Sequence, residues 1–422
     1  MIMLLALIID SLILHVFSTD SLHTLLPTLL IGTYVIVYVL YLRNDRVLHN
    51  FEIPLICGLC LRIGLLYFDI FGRNIYILPN SGADSEWFYH LGVAYAQGDR
   101  SMRGVWSATV GTLFSVIGDN RLFVQFILML FSIFAIEMMI RSLDLLQIDL
   151  NVSIRTVTII CLLPNFAILS SLFLRESVVA MFVAISIFFF LKWVYCLSLK
   201  YLVFAFIAVL LGSSFHSGIA GMIPAYIIAI MFFNPATKEI RISFRTIISA
   251  LLFLFVFMYL LTNYTSLFFD KLSGFMANQS ISSIANTLEE GGSSYAAYVG
   301  DSNSIQNLIF FTPIRMFFFL GSPFIWQLRG VRDIIALLFN AFFYLFIIFK
   351  SFGYIYMNKD KNRIIIGILL LIALTTAFVF SWGVTNTGTA IRHRDKMVVL
   401  YGILLSLVYS NGSDKGLYSY YD

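Results

Sequence analysis

Blocks of about twenty apolar residues, separated by short polar breaks, fill most of this 422-residue chain. That repeat constrains the fold more than any motif does, because about 20 apolar residues in a helix span the hydrocarbon layer of a bilayer. Hydrophobic residues make up 60% of the chain and charged ones only 12%, with a mean hydropathy of +0.90. A water-soluble domain of this length has too little polar surface to cover such a composition, so lipid is the solvent the chain is built for. The sequence predicts an all-α polytopic integral membrane protein, one transmembrane domain over 1–422. About 12 transmembrane helices are expected, near 2–17, 22–42, 51–70, 120–140, 154–174, 177–195, 201–215, 217–233, 246–262, 333–350, 364–383 and 396–410. The first of these lacks the basic flank and small-residue cleavage site of a removable signal peptide.

Loops rich in Lys and Arg tend to stay cytoplasmic. YLRNDRVLHN, the stretch from Arg141 to Arg155, the turn between Lys192 and Lys200, NPATKEIRISFR and KSFGYIYMNKDKNR all fall on one face if both termini are cytoplasmic. This parity requires IQNLIFFTPIRMFFFLGSPFIWQ not to cross. Broken by Pro313, Gly321 and Pro323, it is expected to be a re-entrant or interfacial segment near 307–327. The opposite face then carries two long segments, about 71–119 and 263–332. It also carries ten arginines (73, 100, 103, 121, 175, 315, 329, 332, 392 and 394) but only two lysines, Lys271 and Lys396. Guanidinium is planar, always charged and forks onto phosphate oxygens, which ammonium does less specifically. Snorkelling and pairing with carboxylates is the alternative use of each arginine.

Five places on that face carry candidate chemistry. NSGADSEWFYHLGVAYAQGDRSMRG opens an amphipathic helix with Asp84 and Glu86 at its start and His90 beyond. One of the carboxylates can accept a proton from a hydroxyl, or simply cap the helix. Arg175 and Glu176 stand between two apolar runs, at a membrane surface or in a polar cavity, and adjacent residues on a helix do not face each other. His216 lies in the small-residue turn GSSFHSG, as a proton-exchanging group or a structural one. Arg315 sits in the interrupted stretch. Arg392 and Arg394, in NTGTAIRHRDKMVV, would face the same way on an extended strand and so share one anion, or else form an interfacial anchor. Arg62, inside an expected span, calls for a cavity or a carboxylate such as Asp69. The glycine- and serine-rich run after residue 276 reads as a lid or a plain linker.

Other classes find little in the sequence. Cys57 and Cys60 form C-x-x-C inside an apolar block, without further ligands, and with Cys161 and Cys196 are read as small packing residues. There is no zinc spacing, P-loop or glycine-rich dinucleotide motif, so neither a metal nor a cofactor is expected. A net charge of +4 gives no case for nucleic acid.

Taken in order, an Asp-Tyr-His-bearing first loop, R-E before an apolar run, S-x-F-H-S-G, P-I-R-M-F-F-F-L-G-S-P-F-x-W and R-H-R before the last span resemble the polytopic bacterial polysaccharide polymerases, the Wzy and EpsG-like group. The nearest local likeness is RESVVAMFVAISIFFFLKW followed by YLVFAFIAVLLGSSFHSGIAGMIP, about 50 residues. The resemblance implies a glycan polymerase in the bacterial cytoplasmic (inner) membrane. It would move a growing chain from undecaprenyl diphosphate onto another lipid-linked repeat unit, without metal or nucleotide. Asp84, His216 and Arg175 are then the catalytic candidates. Arg315, Arg392, Arg394, His90 and Glu176 are the candidates for holding diphosphate or glycan. The implied partners are an undecaprenyl-diphosphate-linked oligosaccharide, the lipid bilayer and a chain-length regulator. Another lipid-linked glycosyltransferase or an O-antigen ligase would use similar residues. A transporter or flippase would be expected to show paired half-repeats, and none is legible.

Overall fold

A computed structural model of the chain describes residues 2–17, 24–99, 104–234, 305–360 and 362–410, with short stretches between 237 and 299. Most of the expected span 246–262 and of the expected lid run, together with Arg100, Arg103 and Lys271, lie outside the described residues.

The described chain is mainly helical, with a two-residue antiparallel pairing of Phe233–Asn234 with Glu239–Ile240 and a bridge between Ser294 and Asn386 as its extended pairings. The helices are α1 (Ile2–Phe17), α2 (Leu25–Asn44), α3 (Glu52–Phe71), α4 (Ala83–Ala96), α5 (Val105–Ile117), α6 (Arg121–Leu145), α7 (Leu150–Leu162), α8 (Pro164–Ser171), α9 (Glu176–Cys196), α10 (Leu199–Phe215), α11 (Met222–Phe232), α12 (Ile305–Gly321), α13 (Val331–Met357), α14 (Asn362–Trp382), α15 (Thr387–Asp395) and α16 (Val398–Tyr409). Residues Leu337–Ala341 of α13 form a π-helical turn.

Among the described residues six helices are long and apolar enough to cross a membrane: α2, α3 (with the turn before it), α6, α9, α13 and α14. The pair α7–α8, bent by 54°, would make a seventh. Shorter apolar helices include α5, α10, α16 and Ile309–Gly321. Several apolar helices of spanning length make this a multi-pass membrane protein by length and composition. The segment expected to be re-entrant is helical through Pro313 as far as Gly321, and irregular only from Ser322 to the start of α13. Helix α5 is an apolar element inside a stretch read from the sequence as a polar loop. It packs against α4, α1 and α6.

Helix α6 is the axis of the bundle, buried along most of its length and packed against α9, α3 and α16. Its start is capped by Asn120, whose side chain accepts the Phe123 amide at 3.1 Å. Asp149 does the same for α7, accepting from Asn151 and Val152. Leu163 and Pro164 end α7. Proline has no amide hydrogen to continue the ladder, so the chain turns and restarts as α8.

The last carbonyls of a broken helix need new donors, and here buried arginines supply them. Arg62, fully enclosed, donates to Cys161 O at 2.7 Å, Gly58 O at 3.0 Å and Ser170 Oγ at 2.9 Å, with its guanidinium over the Phe166 ring. The carboxylate expected beside it, Asp69, is engaged elsewhere. Glu137 is a second polar group enclosed by the bundle. It is buried between α6 and α2 and accepts a 2.8 Å hydrogen bond from Tyr38 OH. Cys57 and Cys60 are exposed on α3 with free thiols, whereas Cys161 is buried.

Candidate functional site

Four sequence-distant segments meet around one buried carboxylate. Glu176, the first residue of α9, is 4% exposed. Its Oε1 accepts from Arg392 Nε at 2.9 Å and Nη2 at 2.8 Å, and lies 3.8 Å from Lys396 Nζ. Its other oxygen, Oε2, is buried without a hydrogen-bond partner. The third nitrogen of the fork, Arg392 Nη1, donates to Asp84 Oδ2 at the start of α4. The two carboxylates differ sharply in environment, since the Asp84 side chain is 62% exposed.

Arg175 caps the N-terminal side of the same helix. The three residues before it, Leu172, Phe173 and Leu174, are fully buried and fix the approach of the chain. Its Nη1 donates to Phe215 O at 3.0 Å, at the end of α10, and its guanidinium lies 5.4 Å from the Phe88 ring centre. Arg175 Nε is buried without a hydrogen-bond partner. Burial first, then the positive charge of Arg392, lower its affinity for its proton, while Glu176 and Asp84 act to raise it.

His216 follows directly, at the break between α10 and the 3-10 turn Ser217–Gly221. Its ring meets that of His393 edge-on, with centres 4.4 Å apart. Phe380 of α14 packs against both, at 5.4 Å and 4.9 Å. His393 Nδ1 donates to Thr389 O at 2.7 Å, which assigns the ring proton to Nδ1. Burial, followed by the charges of Lys396 and Arg392, holds its pKa well below 6.5, so the ring is neutral at ordinary pH.

Beside this cluster a second network locks α4 in place. Arg121 forks onto both oxygens of Glu86 at 2.8 Å each, and Arg73 reaches Glu86 and Asp69. Gln125 ties Asp69 to the Ser171 carbonyl at 2.9 and 2.6 Å. Two cations face two carboxylates, so the network is balanced and reads as scaffolding. Burial alone would raise Glu86, but its bonds and charges from Arg121 and Arg73 prevail and hold it down at about 2. It is therefore a poor proton acceptor at neutral pH.

The expected residues thus divide. Asp84, Arg175, Glu176, His216 and Arg392 converge. His90 is exposed on α4 against Tyr89 and is not part of the cluster. Arg315 is 1% exposed inside the bundle, with Nη1 3.5 Å from Trp382 O. Arg394 does not share an anion with Arg392. The R-H-R segment is helical, not extended, so residues two apart diverge by about 200°. Arg394 points inward, donating to Phe319 O at 2.9 Å, Leu320 O at 2.6 Å and Ser322 O at the end of α12. His393, Lys396 and Phe380 were not picked out from the sequence. The i, i+4 spacing of Arg392 and Lys396 was the available signal, hidden by reading the segment as extended.

Compared with protein-family models, curated proteins and solved structures, the chain has no match. Among the described residues no group of three or more His, Cys, Asp or Glu is placed to hold a metal ion.

Proposed function

We propose that this chain is a membrane glycosyltransferase of the polysaccharide-polymerase kind, acting in the bacterial cytoplasmic membrane with both termini in the cytoplasm. The supporting observation is the convergence of Arg175, Arg392 and Lys396 with His216 and His393 at helix ends from three distant segments. Three cations and two imidazoles, with only two carboxylates among them, suit a reaction whose leaving group is an anion and whose nucleophile must lose a proton.

In this reading the sugar hydroxyl of one lipid-linked repeat attacks the anomeric carbon of a glycan carried on undecaprenyl diphosphate. The new carbon–oxygen bond forms as the anomeric carbon–phosphate oxygen bond breaks. The diphosphate leaves with the electron pair, and the hydroxyl proton passes to His216, whose neighbour His393 stays neutral. Arg175 and Arg392 direct their remaining guanidinium N–H groups at the departing oxygens and Lys396 adds charge behind them. Phe88, packed on Arg175, limits water around the guanidinium.

The test is the size profile of lipid-linked and surface glycan in the source organism after deletion of this gene, with complementation by wild type or Arg175→Ala. Loss of the long ladder with accumulation of single repeats, restored by wild type alone, is the expected result. Long lipid-linked chains that fail to reach their final acceptor would point to ligation instead, and an unchanged profile would refute glycan transfer.

A further inference from the structure

Arg392 is held by two carboxylates of opposite character, and the difference between them says which one can leave. Glu176 is enclosed, accepts two of the three Arg392 donors, has Lys396 on its other side and opens helix α9, where the helix dipole favours negative charge. Removing it from Arg392 would strand buried charges on both sides. Asp84 takes the remaining donor alone, from a side chain that is mostly in solvent. It loses little on returning to water, because exposed ion pairs are weak.

We propose that the Asp84 carboxylate is a stand-in for the substrate's phosphate, an autoinhibitory latch on Arg392 that an incoming diphosphate displaces. Charge matching favours the exchange. Arg175, Arg392 and Lys396 bring three positive charges, and Glu176 and Asp84 two negative ones. With Asp84 withdrawn the remaining groups carry a net of two positive charges, the complement of a diphosphate diester. A second observation points to the same ligand. Arg175 Nε, buried and without a hydrogen-bond partner, belongs to a guanidinium within electrostatic reach of both Arg392 and Asp84. A buried donor of this kind is costly unless something accepts from it. A diphosphate oxygen replacing Asp84 on Arg392 Nη1 would bring acceptors to that side. Because Glu86, in the same first turn of α4, stays tied to Arg73 and Arg121, the exchange releases the Asp84 side chain and leaves the helix in place. The site then opens its acceptor side only when the donor's diphosphate is in place. This deepens the polymerase reading and rests on it for the identity of the diphosphate, though not for the exchange itself.

The experiment is a titration of the purified full-length protein with inorganic pyrophosphate by calorimetry, comparing wild type, Asp84→Asn and Arg392→Gln. Trp87, three residues on from Asp84 and about half exposed, reports the departure of the carboxylate through the fluorescence lost in Trp87→Phe. Removing the competing carboxylate should tighten pyrophosphate binding by about twofold to fivefold, the worth of an exposed ion pair. Arg392→Gln should weaken it, and the Trp87 response should be smaller in Asp84→Asn than in wild type. Equal or weaker binding by Asp84→Asn would overturn the latch, as would absence of pyrophosphate binding in both proteins. The two readings fail separately. Tighter binding by Asp84→Asn with an unchanged glycan profile on gene deletion would keep the latch and refute the polymerase. A lost ladder with unchanged Asp84→Asn affinity would do the reverse.

Discussion

Substituting Gly218 by alanine adds one methyl group and no charge, yet it should disable the histidine pair. A Cβ at this position would lie 2.5 Å from Phe380 Cδ1, closer still to Cε1, and 3.3 Å from His216 Nδ1. Normal carbon–carbon contact is about 3.5–4.0 Å, so the ring must retreat by about 1 Å. Phe380 has nowhere to go cheaply. It is 3% exposed, stacks on Phe319 at 5.9 Å and touches both His216 and His393. Overpacking of this kind costs about 1–3 kcal/mol. If the strain is relieved by shifting the imidazoles, a displacement of about 1 Å can lower turnover by about a hundredfold. The assay pairs thermal unfolding of the purified protein with glycan-ladder complementation. Gly367→Ala is the control, because a methyl group there meets nothing within 4 Å. Gly218→Ala is expected to unfold at lower temperature and to leave mostly short glycan, while Gly367→Ala matches wild type in both. Adding Phe380→Leu to Gly218→Ala should recover part of the loss by making room. Identical behaviour of the two alanine variants would refute the argument that Phe380 holds the histidines in place.

Arg394→Met should destabilise by at least about 3 kcal/mol, since it strips three buried carbonyls at the end of α12 of their donors. Pyrophosphate affinity of the folded protein should be unchanged, and a stable variant that no longer binds pyrophosphate would instead make Arg394 an anion ligand. Glu86 sets an acid limit. Its pKa falls from 4.5 unfolded to about 2 folded, so its ion pairs contribute fully above about 4.5 and are lost as pH drops towards 2. The stability difference between wild type and Glu86→Gln should shrink across that window, and a difference independent of pH would show that the Arg121 fork does not bind the ionised carboxylate.

The helices were legible because twenty apolar residues in lipid can satisfy their backbone only within themselves. The expected spans at 51–70, 120–140 and 177–195 correspond closely to α3, α6 and α9. Asp84, Arg175, Glu176, His216 and Arg392 were also legible, since polar residues at the ends of apolar blocks stand out against their surroundings. Helix α5 was missed because its thirteen residues, rich in Ser, Thr and Gly, are too short for a spanning pattern. Its burial comes from α4 and α6, which no local window contains.

The pattern of apolar blocks and polar breaks determined that the chain belongs in lipid, that it is helical and that much of its charge lies near helix ends. It did not determine what each charge does. Arg392 and Arg394 are two residues apart and chemically identical, yet one meets Glu176 and Asp84 while the other caps a helix inside the bundle. Arg62 found carbonyls where a carboxylate was expected, because the bend at Leu163 and Pro164 exposed them. A guanidinium's partner depends on helix rotation and on which neighbouring helix is broken. Both are set by packing between segments up to 308 positions apart, as for Asp84 and Arg392, and only the tertiary structure decides them.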